Sequence, residues 1–209
     1  MKENSQIVIT ISRQLGSGGA YIGQQLAKKL NISYLDHEII RLAAKKLSVL
    51  EDELEPHDER ILSFWESFFQ SKGYIGPDVY IPPHIFVPTD RELFEAEAEI
   101  IKRIANDRSA VIIGRCGSYI LHACPNHTSI FLHADIEFRK GRIEKLYNVL
   151  QEASSKRIAE SDSERSRYHY KLTGKEWTDA WQYDLSIDTS KIGVDNTVQL
   201  ILQYLELVY

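Results

Sequence analysis

The chain lacks the features that announce several protein classes. It carries two cysteines in 209 residues, Cys116 and Cys124. They lie in an apolar stretch without metal-ligand spacing, which argues against a disulfide framework and predicts reduced, buried thiols in a cytoplasmic protein. No apolar run approaches the ~18–20 residues that cross a bilayer. The first six residues are polar and the apolar run behind them is too short for an export signal. Positive charge is not in surplus: 25 Lys and Arg against 30 Asp and Glu leave −5. That balance argues against a general affinity for nucleic acid or an anionic membrane, so any phosphate site must be a local cluster. The seven histidines form no spaced metal set, and there is no internal repeat or low-complexity tract. The rest is ordinary for a soluble globular chain, with 43% hydrophobic and 26% charged residues. It is long enough for one well-cored domain, or one core with an insert.

Apolar periodicity predicts the elements. Residues 6–12 read as a buried strand and 18–30 as a helix with Ile22, Leu26, Ala27 and Leu30 on one face. A short strand at 33–35 precedes a helix capped by Asp36 and running to about 47. Residues 51–70 read as helical. Residues 73–88 hold four prolines and two glycines and read as a long irregular loop. Thr89 or Asp90 caps a helix to about 106. Residues 110–114 and 129–133 are buried strands. Asp135 opens a helix toward 149, and a charged helical stretch follows over 151–170. The last strand is 184–188 and the last helix 194–207. Alternating strands and helices predict an α/β fold, a parallel sheet with helices on both faces. Ligands of such sheets sit at the carboxyl ends of the strands. The residues there are Arg13 with the loop behind it, Asp36 and His37, Arg115, Asp135 and Thr189.

The richest segment is 7–22, IVITISRQLGSGGAYI. A strand ends in a turn of Gly16, Ser17, Gly18 and Gly19, and a helix starts. Glycines let the backbone approach an anion, and the helix start adds unpaired N–H groups and partial positive charge, so strand, loop and helix make a phosphate cradle. A full P-loop reads G-x-x-x-x-G-K-[ST]. With Gly18 as the second glycine, Arg13 takes the place of the first, Gly19 that of the lysine and Ala20 that of the hydroxyl. The backbone chemistry stays, while the ammonium and the magnesium-binding hydroxyl are gone. A glycine turn with no ligand is the competing reading.

Arg115 directly follows a buried strand, where its planar fork suits a phosphate; pairing with a carboxylate at the core edge is the alternative. Residues 139–167 carry Arg139, Lys140, Arg142, Lys145, Lys156, Arg157, Arg165 and Arg167 among five acids. For most of these a solvated helix face with i,i+4 pairs is the better reading. Arg142, Arg157 and Arg165 also suit the charge that spreads over a migrating phosphoryl group. Asp36 is a helix cap or a substrate contact, His37 stands beside it, and Asp188 or Thr189 caps a loop.

Together the pieces SRQLGSGG, YLDHEII, LFEAEAEII, IIGRCGSYI, SIFLHA, ERSRYHYKLTGKEW and YDLSIDTSKIG resemble the cytidylate kinase-like family, in order over nearly the whole chain. The resemblance implies an ATP-dependent phosphotransferase with a P-loop core (1–35, 109–149 and 183–209), a monophosphate-binding insert (about 36–108) and an arginine-bearing lid (about 150–182). It implies that Gly16, Ser17, Gly18, Gly19, Ala20 and Arg142 hold the phosphates of ATP. It also implies that Asp36 and Arg115 face the acceptor, CMP or dCMP first among monophosphates, and that Arg157 and Arg165 are lid residues serving catalysis. His37 joins the acceptor side as the neighbour of Asp36, and Arg13, which leaves the same strand end as the loop, is the candidate catalytic substitute for the lysine. Magnesium (Mg2+) would ride on the phosphates and water, with no side-chain ligand. Cys116 stands where cytidylate kinases have an aspartate that helps read cytosine.

Two other readings stay open. One is a non-catalytic nucleotide-binding or regulatory protein with a degenerate loop, since the lost groups act more on rate than on binding. The other is an interaction protein, a homodimer formed through the aromatic insert with Phe64, Trp65, Phe68, Phe69, Tyr74 and Tyr80.

Overall fold

The computed structural model describes residues 6–36, 90–148 and 150–209. His37, the helices expected after Asp36 and over 51–70, the proline-rich loop and the aromatic patch lie outside the described residues. Within them, strands and helices alternate as β1 (Val8–Arg13), α1 (Gly19–Leu30), β2 (Ser33–Leu35), α2 (Asp90–Asp107), β3 (Ala110–Ile113), α3 (Gly117–Ile120), β4 (His127–His133), α4 (Ile136–Tyr147), α5 (Gln151–Thr173), β5 (Leu185–Asp188), α6 (Thr189–Ile192) and α7 (Val194–Val208). The strands form one parallel sheet in the order β2-β3-β1-β4-β5.

The period-two alternation of β1 sorts its side chains between two cores. Ile9 and Ile11 meet Ile22 and Leu26 of α1 and Val198, Ile201 and Leu205 of α7. Val8 lies on the other face with Ile112, Leu35 and, from α2, Ile101 and Ile104. Both faces of the central strands are covered, which is why β3 and the middle of β4 read as unbroken apolar runs. Chain order reverses around β1: β2 and β3 lie on one side, β4 and β5 on the other. This places the crevice at the carboxyl ends of β1 and β3.

Three details go beyond the predicted elements. Strand β4 begins at His127, level with Val8, two residues before the apolar run, because its polar start still pairs with β1. Helix α5 runs to Thr173, where Gly174 at φ 70 ends it. The short helices α3 and α6 and the 3-10 turn Ala180–Gln182 fill stretches expected to be loop. The segment after α5 is fixed to the sheet by aromatic packing. Phe131 meets Trp177 edge-on at 5.4 Å and Tyr183 at 5.1 Å, and the Tyr183 hydroxyl donates to the Trp177 carbonyl at 2.8 Å. Both cysteines are free thiols, Cys116 buried and Cys124 half-buried. Among the described residues no helix is long and apolar enough to cross a membrane.

At the start of β4, His127 Nε2 lies 2.7 Å from Thr10 Oγ1. Burial, against the opposing pull of Asp184, holds the imidazole down to about 4, so it folds neutral. An unfolded histidine takes up a proton near 6.5 and this one does not, so the unfolded state binds more protons between the two values. Stability is therefore full above pH 6.5 and falls as pH drops toward 4, with a slope of up to about 1.4 kcal/mol per pH unit from this residue. Urea unfolding at stepped pH should give a shallower slope for His127→Gln than for wild type. A remainder of the same sign comes from His169, whose pKa burial also lowers.

Candidate active site

The bend between β1 and α1 is held from several sides. The Gln14 amide donates to the Leu132 carbonyl (2.9 Å), and the Ser17 hydroxyl donates to the Gln14 carbonyl (2.8 Å). Thr189, fully buried at the end of β5, donates to the Ser17 carbonyl at 2.8 Å. A Cβ on Gly16 would stand 2.9 Å from the Arg139 carbonyl oxygen, so the loop lies directly on α4. Gly18, at φ 92, begins α1 without a side-chain cap, and the first turn of α1 holds no acid. The opening amides of that helix have no intrahelical partner, so Gly18, Gly19 and Ala20 present the donor-rich, partially positive end of a helix at the crevice.

Arginines converge on the same crevice. Arg13 leaves the end of β1, and its Nη2 lies 3.6 Å from Asp36 Oδ1. Burial comes first, then the like charge of Arg165; together with Arg115 they outweigh Asp36 and hold the Arg13 guanidinium down to about 10. Arg165, on α5, donates to the Arg13 carbonyl at 3.1 Å. Arg115 sits in a left-handed turn with Gly114 and Cys116, at φ 74, 54 and 52 in chain order. Two consecutive non-glycine residues in that region store strain, a feature that gathers at functional sites. Arg115 Nη1 lies 3.5 Å from Oε1 of Glu97, a carboxylate with no exposure that also accepts from the Tyr168 hydroxyl at 2.8 Å. Burial pushes the Glu97 carboxyl up against the pull of Arg115 and Tyr168. Burial, helped by Glu97, pushes the Cys116 thiol to about 12, which removes it as a nucleophile at neutral pH.

The structure thus brings Arg13, Asp36, Arg115 and Arg165 together beside Gly16, Ser17, Gly18, Gly19 and Ala20. Arg142 joins from α4: its Nη2 would lie 3.6 Å from a Cβ on Gly18, and its buried Nε has no hydrogen-bond partner. Arg157 stands apart, exposed, with its guanidinium 4.2 Å over the Tyr147 ring. Arg139 corrects the solvated-face reading of its stretch. It is 8% exposed and its Nη1 pairs with Asp162 Oδ2, because α4 packs on the loop. The solvated i,i+4 pattern does hold for Lys156 with Glu160, while Lys140 is half-buried and pairs with Glu137 three residues before it.

Asp162, Glu97 and Tyr168 go unmarked in the sequence, and Thr189 takes a role other than the one expected. Asp162 accepts from the Leu15 amide at 2.9 Å, so a lid-region carboxylate touches the loop backbone. Glu97 and Tyr168 form the pair behind Arg115. Thr189 stitches β5 to the loop, where a capping role was expected; the capping role belongs to Asp188, which accepts from the Ser190 amide at 3.0 Å. A hollow of about 730 Å3 lined by Gln24, Lys28, Asn31, Tyr34 and Arg108 lies at the opposite end of the sheet. It faces the closing turn of α1, whose dipole opposes an anion.

Comparison with known proteins gives this geometry a family. The profile of the cytidylate kinase-like family matches residues 8–191. A cytidylate kinase of Sulfurisphaera tokodaii is 29% identical over 95% of this chain and 95% of its own, and one of Pyrococcus abyssi is 26% identical over 97% and 96%. Among solved structures, an uncharacterized protein of Eubacterium ventriosum superposes with a TM-score of 0.72 at 24% identity, covering 96% of this chain and 99% of the other. A gluconokinase of Sinorhizobium meliloti superposes at 0.55 and 14% identity, covering 97% and 93%. The fold is that of the P-loop kinases, and the chain belongs to the cytidylate kinase-like family.

Proposed function

We propose that this protein is an ATP-dependent nucleoside monophosphate kinase, with CMP or dCMP as first-choice acceptor. One observation carries the proposal: guanidinium groups from three elements converge beside an uncapped glycine-loop helix. Like charges drawn together at a partly buried site raise the folding free energy unless an anion joins them, and a triphosphate meeting a monophosphate is such an anion. Family membership and the cytidylate kinase relatives support the same reading.

In this reading a phosphate oxygen of the acceptor attacks the γ-phosphorus of ATP. The new P–O bond forms as the bond from the γ-phosphorus to the β–γ bridging oxygen breaks. The electron pair stays on that oxygen, and the products are ADP and the nucleoside diphosphate. Phosphoryl transfer asks mainly for positioning and charge stabilisation. Residues 16–20 and Arg142 hold the donor phosphates, Arg115 and Asp36 face the acceptor, and Arg13 and Arg165 stabilise the group in flight. Arg157, exposed over the Tyr147 ring and about 12 Å from Arg165 along α5, takes no part in this reading. The described side chains form no cage for magnesium: Ala20 has no side-chain oxygen, the Ser17 hydroxyl donates to the Gln14 carbonyl, and no cluster of three or more His, Cys, Asp or Glu side chains occurs among the described residues. No step here runs through a side-chain-held metal. A binding protein without transfer is the second reading, favoured by that same bare loop position at Ala20.

A screen of purified protein with ATP against nucleoside monophosphates, CMP and dCMP included, should give nucleoside diphosphate and ADP in equal amounts. ATP binding by calorimetry with no transfer to any acceptor would favour the second reading.

Arg115→Ala and Arg165→Ala should each lower kcat/KM by at least about a hundredfold while circular dichroism stays that of wild type. Wild-type rates in both would refute the assignment.

Tyr168→Phe strips the buried Glu97 carboxylate of a donor. It should cost about 1–3 kcal/mol of stability in urea unfolding and raise KM for the acceptor more than for ATP.

A further inference from the structure

Two glycines almost a hundred residues apart are packed against one side chain. A Cβ on Gly19 would stand 2.6 Å from Arg13 Cγ and 2.8 Å from Arg13 Cβ. A Cβ on Gly114 would stand 2.3 Å from Arg13 Nη1 and 3.5 Å from its Cζ. The stem of Arg13 therefore crosses the first residue of α1, and its guanidinium ends over the turn that follows β3.

The two glycines differ in what else demands them. Gly114 sits at φ 74, where a side chain is strained whatever space it finds. Gly19 opens an α-helix and shows no positive φ. Glycine there costs helix stability and gains nothing in backbone freedom. The space taken by Arg13 is what the structure offers as its reason.

Among the described residues the head of Arg13 is held loosely. Its contact with Asp36 is 3.6 Å, longer than a hydrogen bond and unlike the two-armed fork an arginine makes with a committed carboxylate. It points from the donor loop toward Arg115, across the path between the two nucleotides of the proposed reaction. Arg165 fixes the Arg13 main chain rather than competing for the side chain.

We infer that Arg13 is the catalytic cation of the loop and that Gly19 is its seat: the charge a P-loop carries on the first residue of its helix has moved to the last residue of the preceding strand, and one position must be bare for the other to be used. The inference rests on the kinase reading and deepens it. It makes the two positions mutually exclusive. Restoring a lysine at 19 adds a cation to the loop and yet damages the protein, because the new stem collides with the old one.

The test is a cycle of Arg13→Ala, Gly19→Lys and the double variant, with Arg13→Gln added to keep most of the stem while removing the charge. Unfolding midpoints, calorimetric binding of inorganic tripolyphosphate and phosphoryl transfer are read on each. Gly19→Lys should lower the unfolding midpoint in the presence of Arg13 and lower it less, or not at all, in the Arg13→Ala background. Arg13→Ala and Arg13→Gln should each weaken tripolyphosphate binding at least about tenfold, and the double variant should bind more tightly than Arg13→Ala alone. Tripolyphosphate binding at wild-type strength in Arg13→Gln would overturn the inference, and so would an equal stability cost of Gly19→Lys with and without Arg13. Failure of the kinase reading looks different: wild type then transfers to no acceptor while the binding and unfolding cycles keep their expected pattern. If wild type transfers and Arg13→Gln transfers equally fast, the inference falls alone.

Discussion

The bend after β1 is tied down from outside and left bare at its head. Thr189 of α6, Asp162 of α5, the backbone around Arg139 of α4 and the Leu132 carbonyl of β4 fix residues 14–17. Gly18 then starts α1 without a side-chain cap. A loop can offer main-chain amides to an anion only if something else keeps it from collapsing onto those amides. Here the restraint comes from groups that bind the flanks of the loop. The rest of the site is arranged around that opening, because the central position of β1 in the sheet brings the ends of β2 and β3 to one side of it and those of β4 and β5 to the other.

Charge follows the same plan. Burial and then the like charges of Arg165 and Arg115 hold Arg13 down, and burial with the like charge of Arg115 holds Arg165 down, which no core would choose for stability. Each has an acid nearby: Asp36 by Arg13, Glu97 by Arg115 and Asp162 by Arg165. These contacts run from 3.5 to 3.9 Å, looser than the Arg139–Asp162 pair that holds α4 to α5. Arg165 is also held by its hydrogen bond to the Arg13 carbonyl at 3.1 Å, whereas among the described residues the Arg13 head meets its acid only at 3.6 Å.

Much of this was legible from the sequence because it rests on local pattern. The β-branched run of β1, the apolar runs of β3 and β4, the glycine loop and the arginine after β3 each announce themselves within a few residues. What stayed hidden depends on long-range packing. Glu97 reads as one more acid on the charged helix 90–107, yet it has no exposure, because α2 turns that position toward Arg115 and Tyr168. Arg139 and Asp162 read as members of a solvated charge pattern, but the loop's glycines let α4 and α5 come down onto its backbone. Gly19 shows as a departure from the P-loop pattern, and only the course of a side chain six residues earlier supplies a reason for it.

The bond from Tyr168 to Glu97 reaches from a helix after β4 to a helix before β3, over 71 residues of chain. A contact of that kind turns two local equilibria into one. Whatever reorients α2 alters the free energy of placing α5, and by thermodynamic reciprocity whatever draws α5 onto the loop alters α2 by the same amount. Occupancy on one flank of the sheet would thus be felt on the other as a change in affinity, conveyed in part by the Tyr168 hydroxyl.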